Sequence, residues 1–418
     1  MKENKKIMLY MMHWYPFEGA RQPIYATVLR YLKQKGYSIT ILTSIPYFLN
    51  SREERWENYK GKFFIKEKWE DIEVLRSFVC SPLIFRHFKV FIRIINSISF
   101  SFTTFFASLF TKKQDIVLTL SYPPILIGIT SLIISRIKRC QFVYCIEDIY
   151  PDILIDLNII KNNWFHKILK KVERITYQKA KKVCVLSEQM KINLVNKGIP
   201  DEKIKVIPHF VDTDKIMPQS KDNPFSKEYN LEKIFIVLLP GSLSYRYNID
   251  LIIKAAEILS DMDSIRFIFI NRGELKDVFR KKVDNLGLNN VIFIPFQPED
   301  RFIQVLASSD VCIVSLDNNF SSYSVPSKIY TIMSSARPII AMVDEQSEIA
   351  RIVKLSECGI VLSDSQPELL AEAIKTFMTN KEKCTIMGQK GREYVEKYYN
   401  KYDICKKYEE VLLNAITF

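Results

Sequence analysis

What most constrains this chain is the order of its apolar runs. Short β-rich segments alternate with longer helical patterns, and the alternation happens twice. In the first half IMLYM (7–11) precedes a helical stretch over 20–35 that ends at Gly36, and SITILT (38–43) follows. A strand near 72–75, then DIVLTL (115–120), QFVYCI (141–146), KKVCVLS (181–187) and KIKVIP (203–208) continue the pattern, with helical segments such as 123–137 and 162–180 between them. Strand–helix–strand order implies right-handed crossovers on a parallel sheet covered on both faces. A polar, proline-containing break, DTDKIMPQSKDNPFSKEYN (212–230), then resets the pattern. The second half runs IFIVLLP (234–240), IRFIFI (265–270), NVIFIPF (290–296), DVCIVSL (310–316), RPIIAMV (337–343) and GIVLS (359–363). Between the first two of these, Ile249, Ile252, Ile253, Ala256 and Leu259 share one helical face. Two doubly wound α/β domains are expected, 1–212 and 231–393, joined by a linker at 213–230. Ligands in such sheets bind beyond the carboxyl ends of the strands, which makes a cleft between the domains the expected site.

Composition narrows the class. With 48% hydrophobic and 26% charged residues in 418, the chain has ordinary globular make-up rather than that of a disordered segment, and 11 glycines exclude collagen-like readings. The run Ile7–Met12 behind a basic N-terminus is short for a signal peptide, and no stretch holds about 18 uninterrupted apolar residues. A soluble, intracellular protein is expected. Eight scattered cysteines without C-x-x-C spacing, and four histidines, read as reduced structural thiols rather than zinc ligands.

The 60 Lys+Arg against 47 Asp+Glu leave a formal charge of +13. One dense region is HKILKKVERITYQKAKKV (166–183), where cations and apolar residues alternate at helical spacing. Another is Arg86, His87, Lys89 and Arg93, which open the aromatic run VFIRIINSISFSFTTFFASLF up to Phe110. Interrupted by Arg, Asn and Ser, that run suits lying on or near a membrane rather than crossing it, and the basic residues suit an anionic leaflet. A buried interdomain helix beside a solvated basic face is the alternative. No RRM, KH or helix-turn-helix signature accompanies the charge, so nucleic acid is not an expected partner.

Three carboxyl-edge segments of the second half carry candidate chemistry. PGSLSYRYNID (240–250) places Gly241 where a backbone approaches a ligand closely, Ser242 or Ser244 where a helix cap is wanted, and Arg246 as a charge. A helix N-terminus in that position suits a diphosphate. INRGELKDV presents Gly273 and Glu274 at the next edge. In VPSKIYTIMSSARPII, Pro326 and Ser327 start a helix and Lys328 sits in its first turn, against the helix dipole. An anionic ligand resolves that conflict; a lysine reaching solvent is the other reading.

Taken in order, PGSLS, RYNIDLIIKAA, NRGELK, NNVIFIPFQPEDRFIQVLASSDVCIVSL, VPSKIYTIMSSARPIIA, CGIVL and MGQKGREYVEKYY resemble the retaining glycosyltransferase family 4. The first half agrees through YPFEGARQ, YSITILTSIPYF, DIYPD (148–152) and VLSEQMKINLVNKGIPDEKIKVIPHFVD. The resemblance covers nearly the whole chain and is nearest to the exopolysaccharide and O-antigen branch of colanic-acid and fucosamine transferases. It implies a GT-B fold of two Rossmann-like domains, the first binding the acceptor and the second the nucleotide-sugar, with 394–418 crossing back to the first. It implies a sugar moved from a nucleotide diphosphate with retention and without a bound metal or other cofactor. A UDP-sugar carrying an N-acetylhexosamine or its 6-deoxy form is the expected donor. A polyprenyl-diphosphate-linked saccharide at the cytoplasmic face of a bacterial membrane is the expected acceptor, with the protein peripheral on that surface.

Carried onto this chain, the resemblance assigns Arg246, Lys328 and Asp148 to catalysis. The two cations would meet the charge that grows on the leaving diphosphate. Asp148 would orient the donor sugar or assist the acceptor hydroxyl, a helix cap before Pro151 being its other reading. It assigns Gly19, Ala20, Gly241, Ser242, Ser244, Arg272, Gly273, Glu274, Phe296, Tyr323, Ser327, Tyr330 and Thr331 to the donor, and His13, Glu18 and Arg21 to the acceptor side. The chain departs from the family at the Glu-x7-Glu pair, where position matching gives Tyr323 and Thr331. Thr331 retains one hydroxyl toward a ribose, and the lost charge-assisted bond is worth roughly 1.5–3 kcal/mol. Ser244 replaces a usual Gly, and Arg246 a usual Lys. His209 is expected to pack, and Asp212-x-Asp214, in the linker, to imitate a metal motif by coincidence. A scaffold that kept the fold without the Glu pair, and a UDP-sugar 2-epimerase, are the alternative functions.

Overall fold

The computed structural model describes residues 5–17, 19, 21–47, 57–82, 88–156, 164–241, 243, 247–270, 273, 275–317, 320, 323–363 and 366–417. The chain forms two compact units, Met1–Pro208 with Ile404–Phe418, and His209–Asp403.

The first unit is built on an eight-stranded sheet. Its strands are β1 (Lys6–Tyr10), β2 (Ser38–Ser44), β3 (Phe64–Trp69), β4 (Ile72–Ser77), β5 (Ile116–Leu120), β6 (Gln141–Cys145), β7 (Lys182–Val185) and β8 (Ile204–Val206), in the order β3-β4-β2-β1-β5-β6-β7-β8. The central β1 and β5 pair in parallel, and β5 is buried along its whole length, as strands covered on both faces require. The expectation of an all-parallel sheet needs one correction. β3 is an additional strand, antiparallel to β4. Its sequence FIKEKW carries charge at three successive positions, alternates between exposed and half-buried and is nowhere fully buried, which suits a sheet edge. The two strands join through Glu70 and Asp71, both at positive φ (48° and 59°), where a tight hairpin usually has Asn-Gly. A distant residue stabilises the turn: the Arg30 guanidinium donates to both Glu70 carboxylate oxygens, and Lys33 Nζ donates to the Glu70 carbonyl at 2.6 Å.

The second unit carries β9 (Phe235–Leu239), β10 (Ile265–Ile270), β11 (Val291–Ile294), β12 (Val311–Ser315), β13 (Ile339–Met342) and β14 (Gly359–Leu362). Their order is β11-β10-β9-β12-β13-β14, all parallel, so the strand order reverses between β9 and β12. That reversal is where such sheets open a ligand crevice. The core on one side of the sheet joins Val237, Leu239, Phe267 and Phe269 to Ile252 and Ala256 of helix Ile249–Ile258 and to Ile374 and Phe377 of helix Pro367–Thr379.

The expected linker, 213–230, is not a free connection but part of the second unit's body. Asn223 caps helix Pro224–Glu228 in a reciprocal capping box with Ser226, and its Nδ2 donates to Ser308 Oγ at 3.0 Å. Buried Arg392 donates to the carbonyls of Ile216 (2.6 Å), Ser334 (2.7 Å) and Thr213 (2.9 Å). Asp212 and Asp214, the D-x-D imitation, both pair with Lys401 (2.8 and 2.9 Å). The units divide between Pro208 and His209, ahead of the expected 212, and the chain returns to the first unit at Ile404 rather than at 394. Helix Lys381–Tyr398 stays with the second unit, where Gly388 packs directly on the Ala336 carbonyl. Helix Lys401–Thr417 lies against helix Arg21–Gln34, with Tyr31 OH donating to Glu409 at 2.9 Å and the Tyr25 and Tyr408 hydroxyls 3.3 Å apart.

Candidate active site

At the carboxyl edge of the second sheet, β9 ends in a turn at Gly241, whose φ of +136° suits glycine. Lys328 opens helix Lys328–Ser334, beyond β12. Its side chain reaches back to that turn, so a Cβ added at Gly241 would stand 3.5 Å from Nζ. The ammonium lies 3.9 Å from the centroid of the Tyr247 ring. Nζ is out of solvent and has no hydrogen-bond partner among the described residues. The lysine therefore does not reach solvent, and among the described residues one aromatic face is all that compensates its charge. A desolvated cation beside a side-chain-free turn, at the point where strand order reverses, is a place built for an anion.

The surrounding turns are tied together. Gly273 (φ +118°) follows β10, and a Cβ there would fall 2.1 Å from the Leu243 carbonyl oxygen; its glycine lets the β10 loop press onto the β9 loop. Ser315, the last residue of β12, accepts from the Asn248 backbone N–H at 3.1 Å. Asn248 in turn caps helix Ile249–Ile258, accepting from Leu251 N–H at 3.4 Å. That corrects the expectation of a Ser242 or Ser244 cap. Ser327 holds the N-cap position of the Lys328 helix without a side-chain cap bond. Tyr323 sits in a turn closed by its N–H on the Phe320 carbonyl (3.1 Å), and Thr331 is half-buried one turn into the Lys328 helix. Tyr330 is buried against the Tyr399 ring, centroids 4.5 Å apart, within the packing rather than at the edge. Phe296 is exposed beyond β11, away from the Lys328 cluster in strand order. Ser242, Ser244, Arg246, Arg272 and Glu274, with Glu18 and Ala20 in the first unit, lie outside the described residues.

The carboxyl edge of the first sheet gathers a second constellation. Arg21, at the start of the helix after β1, donates to Glu147 Oε2 and to Asp148 Oδ2, each at 3.2 Å. Glu147 is buried and also accepts from Tyr25 OH at 2.7 Å, while its backbone N–H donates to Ser121 Oγ at 2.9 Å. Burial opposes the Arg21 charge, yet Glu147 and Asp148 outweigh it and hold the guanidinium protonated. His13 lies beyond β1, stacked on Phe17 at 4.4 Å, with Nε2 2.8 Å from Tyr47 OH. Burial, then the Arg21 charge, lowers its pKa to about 4, so it is neutral at pH 7. A Cβ added at Gly19 would stand 2.7 Å from Gln22 Oε1 and 2.8 Å from the Phe17 ring, so a side chain there would require those two to shift. His209 is buried, in keeping with packing. A small cavity is lined by Asp148, Tyr150, Ser121 and Glu173 among others. Glu173 is a buried carboxyl that burial raises to about 7 despite Lys197 at 2.9 Å.

Four participants escaped the sequence reading: Tyr247, Ser315, Glu147 and Tyr25. Tyr247 stands in the quoted RYNID segment, and Glu147 directly precedes Asp148, so proximity to a named residue was the available signal.

Residues 25–215 match the family described as Glycosyltransferase Family 4, and residues 221–394 match Glycosyl transferases group 1. The chain is a glycosyltransferase. This transferase is 22% identical over 305 residues to a probable glycosyltransferase WbjE of Pseudomonas aeruginosa, across 71% of this chain and 74% of that one. Among solved structures it resembles Alr3699/HepE of Anabaena in complex with UDP-glucose, at 14% identity and TM-score 0.71, covering 98% of this chain and 99% of that one. It also resembles WaaG, a glycosyltransferase involved in lipopolysaccharide biosynthesis, at 14% identity and TM-score 0.69, over 97% and 99% of the two chains. The fold of this transferase is GT-B, with two Rossmann-like α/β units.

Proposed function

We propose that this glycosyltransferase takes a sugar from a UDP-sugar, an N-acetylhexosamine or its 6-deoxy form, and adds it with retention to a polyprenyl-diphosphate-linked saccharide. The product belongs to a cell-surface polysaccharide of the O-antigen or exopolysaccharide kind. The observation that carries the donor assignment is Lys328: its desolvated ammonium, at the Gly241 turn, has no anionic partner among the described residues. The involvement of WaaG in lipopolysaccharide biosynthesis supports the polysaccharide part of this reading, and the UDP-glucose bound by HepE supports the nucleotide-sugar part.

The chemistry follows from charge. Breaking the bond between the anomeric carbon and the diphosphate leaves negative charge on the departing oxygen, and Lys328 meets it in a site that excludes water. Arg246 joins it in this reading, which therefore uses no bound metal. The acceptor hydroxyl attacks the face the diphosphate leaves, so retention needs no protein nucleophile. Asp148, oriented by Arg21, directs the sugar or the attacking hydroxyl. Thr331 offers one hydroxyl to the ribose where the family has a carboxylate, and Tyr323 stands at the other lost carboxylate. The lipid-borne acceptor places the enzyme peripherally on the cytoplasmic face of the membrane, drawn there by cations of 86–93 and 166–183, of which Arg86 and His87 lie outside the described residues.

A thermal-shift panel of UDP, GDP and several UDP-sugars, with and without EDTA, tests the donor half. A shift with UDP that EDTA leaves intact is expected, because a ligand bound only by the folded state raises its melting temperature. Silence across the panel would refute it. Washing membranes with high salt tests the electrostatic part: the protein is expected to leave the pellet.

A further inference from the structure

Three neighbouring helices of the first unit share an unusual surface. Helix Lys89–Leu109 buries Phe100, Thr104, Ala107 and Ser108, and exposes Phe91, Ile94, Ile98, Phe102, Phe106 and Leu109, spaced three or four apart along one face. Phe102 is 64% exposed, and Phe110, just past the helix end, is 82% exposed. The segment Phe91–Leu109 is long and apolar enough to cross a bilayer by composition, but its other face is packed on protein. Helix Leu126–Lys138 lies beside it and exposes Ile133 and Ile137; helix Trp164–Lys179 packs on the far side and exposes Trp164, Ile168 and Ile175. Along all three helices the single carboxylate is Glu173, which is buried and held by Lys197. Among the described residues, every charge these helices turn outward is positive.

The apolar face ends in a basic pocket. A cavity of about 480 Å³ is lined by Arg136, Arg139, Lys179, Lys181 and Lys203, together with Gln141 and Cys140. Lys203 is anchored by the carbonyls of Gln178 (2.6 Å) and Ala180 (3.2 Å). The other four cations pair with no carboxylate among the described residues. The lining residues 140–141, 181 and 203 stand where β6, β7 and β8 begin, the sheet edge opposite Asp148 and Arg21. The pocket thus has no part in the acceptor constellation, and an anion held there would be separate from it.

We propose that this three-helix face is the membrane-docking surface, its aromatic ridge lying in the bilayer interface and its five-cation pocket holding the phosphate headgroup of an anionic phospholipid. A ridge of 21 residues, about 31 Å long, lies in the membrane plane with its apolar side down, and the positive flanks match the anionic leaflet. This deepens the reading of a lipid-borne acceptor and rests on it for its purpose, though not for its test.

The test is flotation of the full-length protein with phosphatidylcholine vesicles, with and without 30% phosphatidylglycerol, at low and high salt. At least tenfold tighter binding to the anionic vesicles is expected at low salt. The exposed-ridge variant F102S/F106S is expected to lose at least tenfold on either vesicle. R136Q/K179Q/K181Q is expected to lose the preference for phosphatidylglycerol and keep the weak binding to phosphatidylcholine. Calorimetric titration with inorganic phosphate distinguishes the source of the anion: no saturable heat is expected, and saturation by free phosphate at the pocket would overturn the lipid assignment. Unchanged flotation of both variants would overturn the surface altogether. So would a dimer in sedimentation velocity that F102S/F106S dissociates, which would make the face a contact between copies. Each variant keeps the wild-type response to UDP if only docking is lost; a wild type that floats but ignores every nucleotide would refute the donor reading and leave this surface standing.

Discussion

Replacing Lys328 by methionine separates a ligand-binding lysine from a structural one, because the two predict opposite signs. In the unliganded protein the ammonium is desolvated, and its compensation among the described residues is the Tyr247 ring at 3.9 Å. A cation–π contact of a desolvated cation is worth about 2 kcal/mol, while the effective cost of taking an ammonium out of water is several. Methionine keeps most of the stem and removes the unpaired charge, so K328M is expected to be more stable than the wild type by about 1–2 kcal/mol. For a domain of this size that is ~2–8 °C in melting temperature. Binding moves the other way. Losing one charge-assisted bond to the diphosphate costs roughly 1.5–3 kcal/mol, or about 10- to 150-fold in affinity. At UDP set to about 100 times the wild-type Kd, ligand stabilisation falls from about 2.7 kcal/mol to about 0.4 kcal/mol for a 100-fold weaker site. Scanning calorimetry with and without UDP reads both effects in one experiment. A K328M protein with a lower unliganded midpoint and an undiminished UDP shift would refute the argument, since Lys328 would then be a packing stem.

Four further outcomes are expected. Asp148→Asn should lower kcat at least tenfold while leaving the UDP thermal shift intact; a matching loss of UDP response would move Asp148 out of the transfer step. Arg392→Ala orphans the carbonyls of Ile216, Ser334 and Thr213 and should cost about 3–5 kcal/mol by urea denaturation, with Arg392→Lys recovering only part. Gly273→Ala forces a Cβ to within 2.1 Å of the Leu243 carbonyl, so it should both destabilise the protein and weaken UDP, whereas a neutral result would mean the two loops separate easily. Glu173 binds its proton more tightly folded (about 7, raised by burial) than unfolded, so its contribution, roughly 3 kcal/mol, is present below about pH 4.5 and is lost as pH rises through 7. His13, lowered to about 4, has the opposite slope, contributing above pH 6.5 and losing that as pH falls through 4. The stability of E173Q relative to wild type should therefore rise from pH 5 to 7 and that of H13Q should fall; parallel curves would contradict both assignments.

Much of the fold was legible because buried parallel strands are long apolar words, and the strands of both sheets fall within a few residues of those words. β3 was not, and its physics says why. FIKEKW has three successive charges and is never more than half-buried, so it is no apolar word, and its turn has Glu-Asp instead of a glycine because Arg30, forty residues earlier, stabilises the positive φ pair. The packing of 212–230 is hidden in the sequence for a related reason. Asn223, Ser226 and Asp212 look like solvated residues in sequence, but they serve as caps and ion-pair partners whose other halves, Ser308 and Lys401, are far along the chain. The candidate site divides the same way. Lys328 was legible from a local conflict, a cation in the first turn of a helix, and the structure sharpens that conflict by taking Nζ out of water. Tyr247 and Glu147 carry no local conflict. Each becomes meaningful only when the fold brings it to a charge, Tyr247 to Lys328 and Glu147 to Arg21. Sequence thus reveals a residue that is wrong for its own helix or strand, while a residue that is right locally and functional only by its neighbour needs the folded chain.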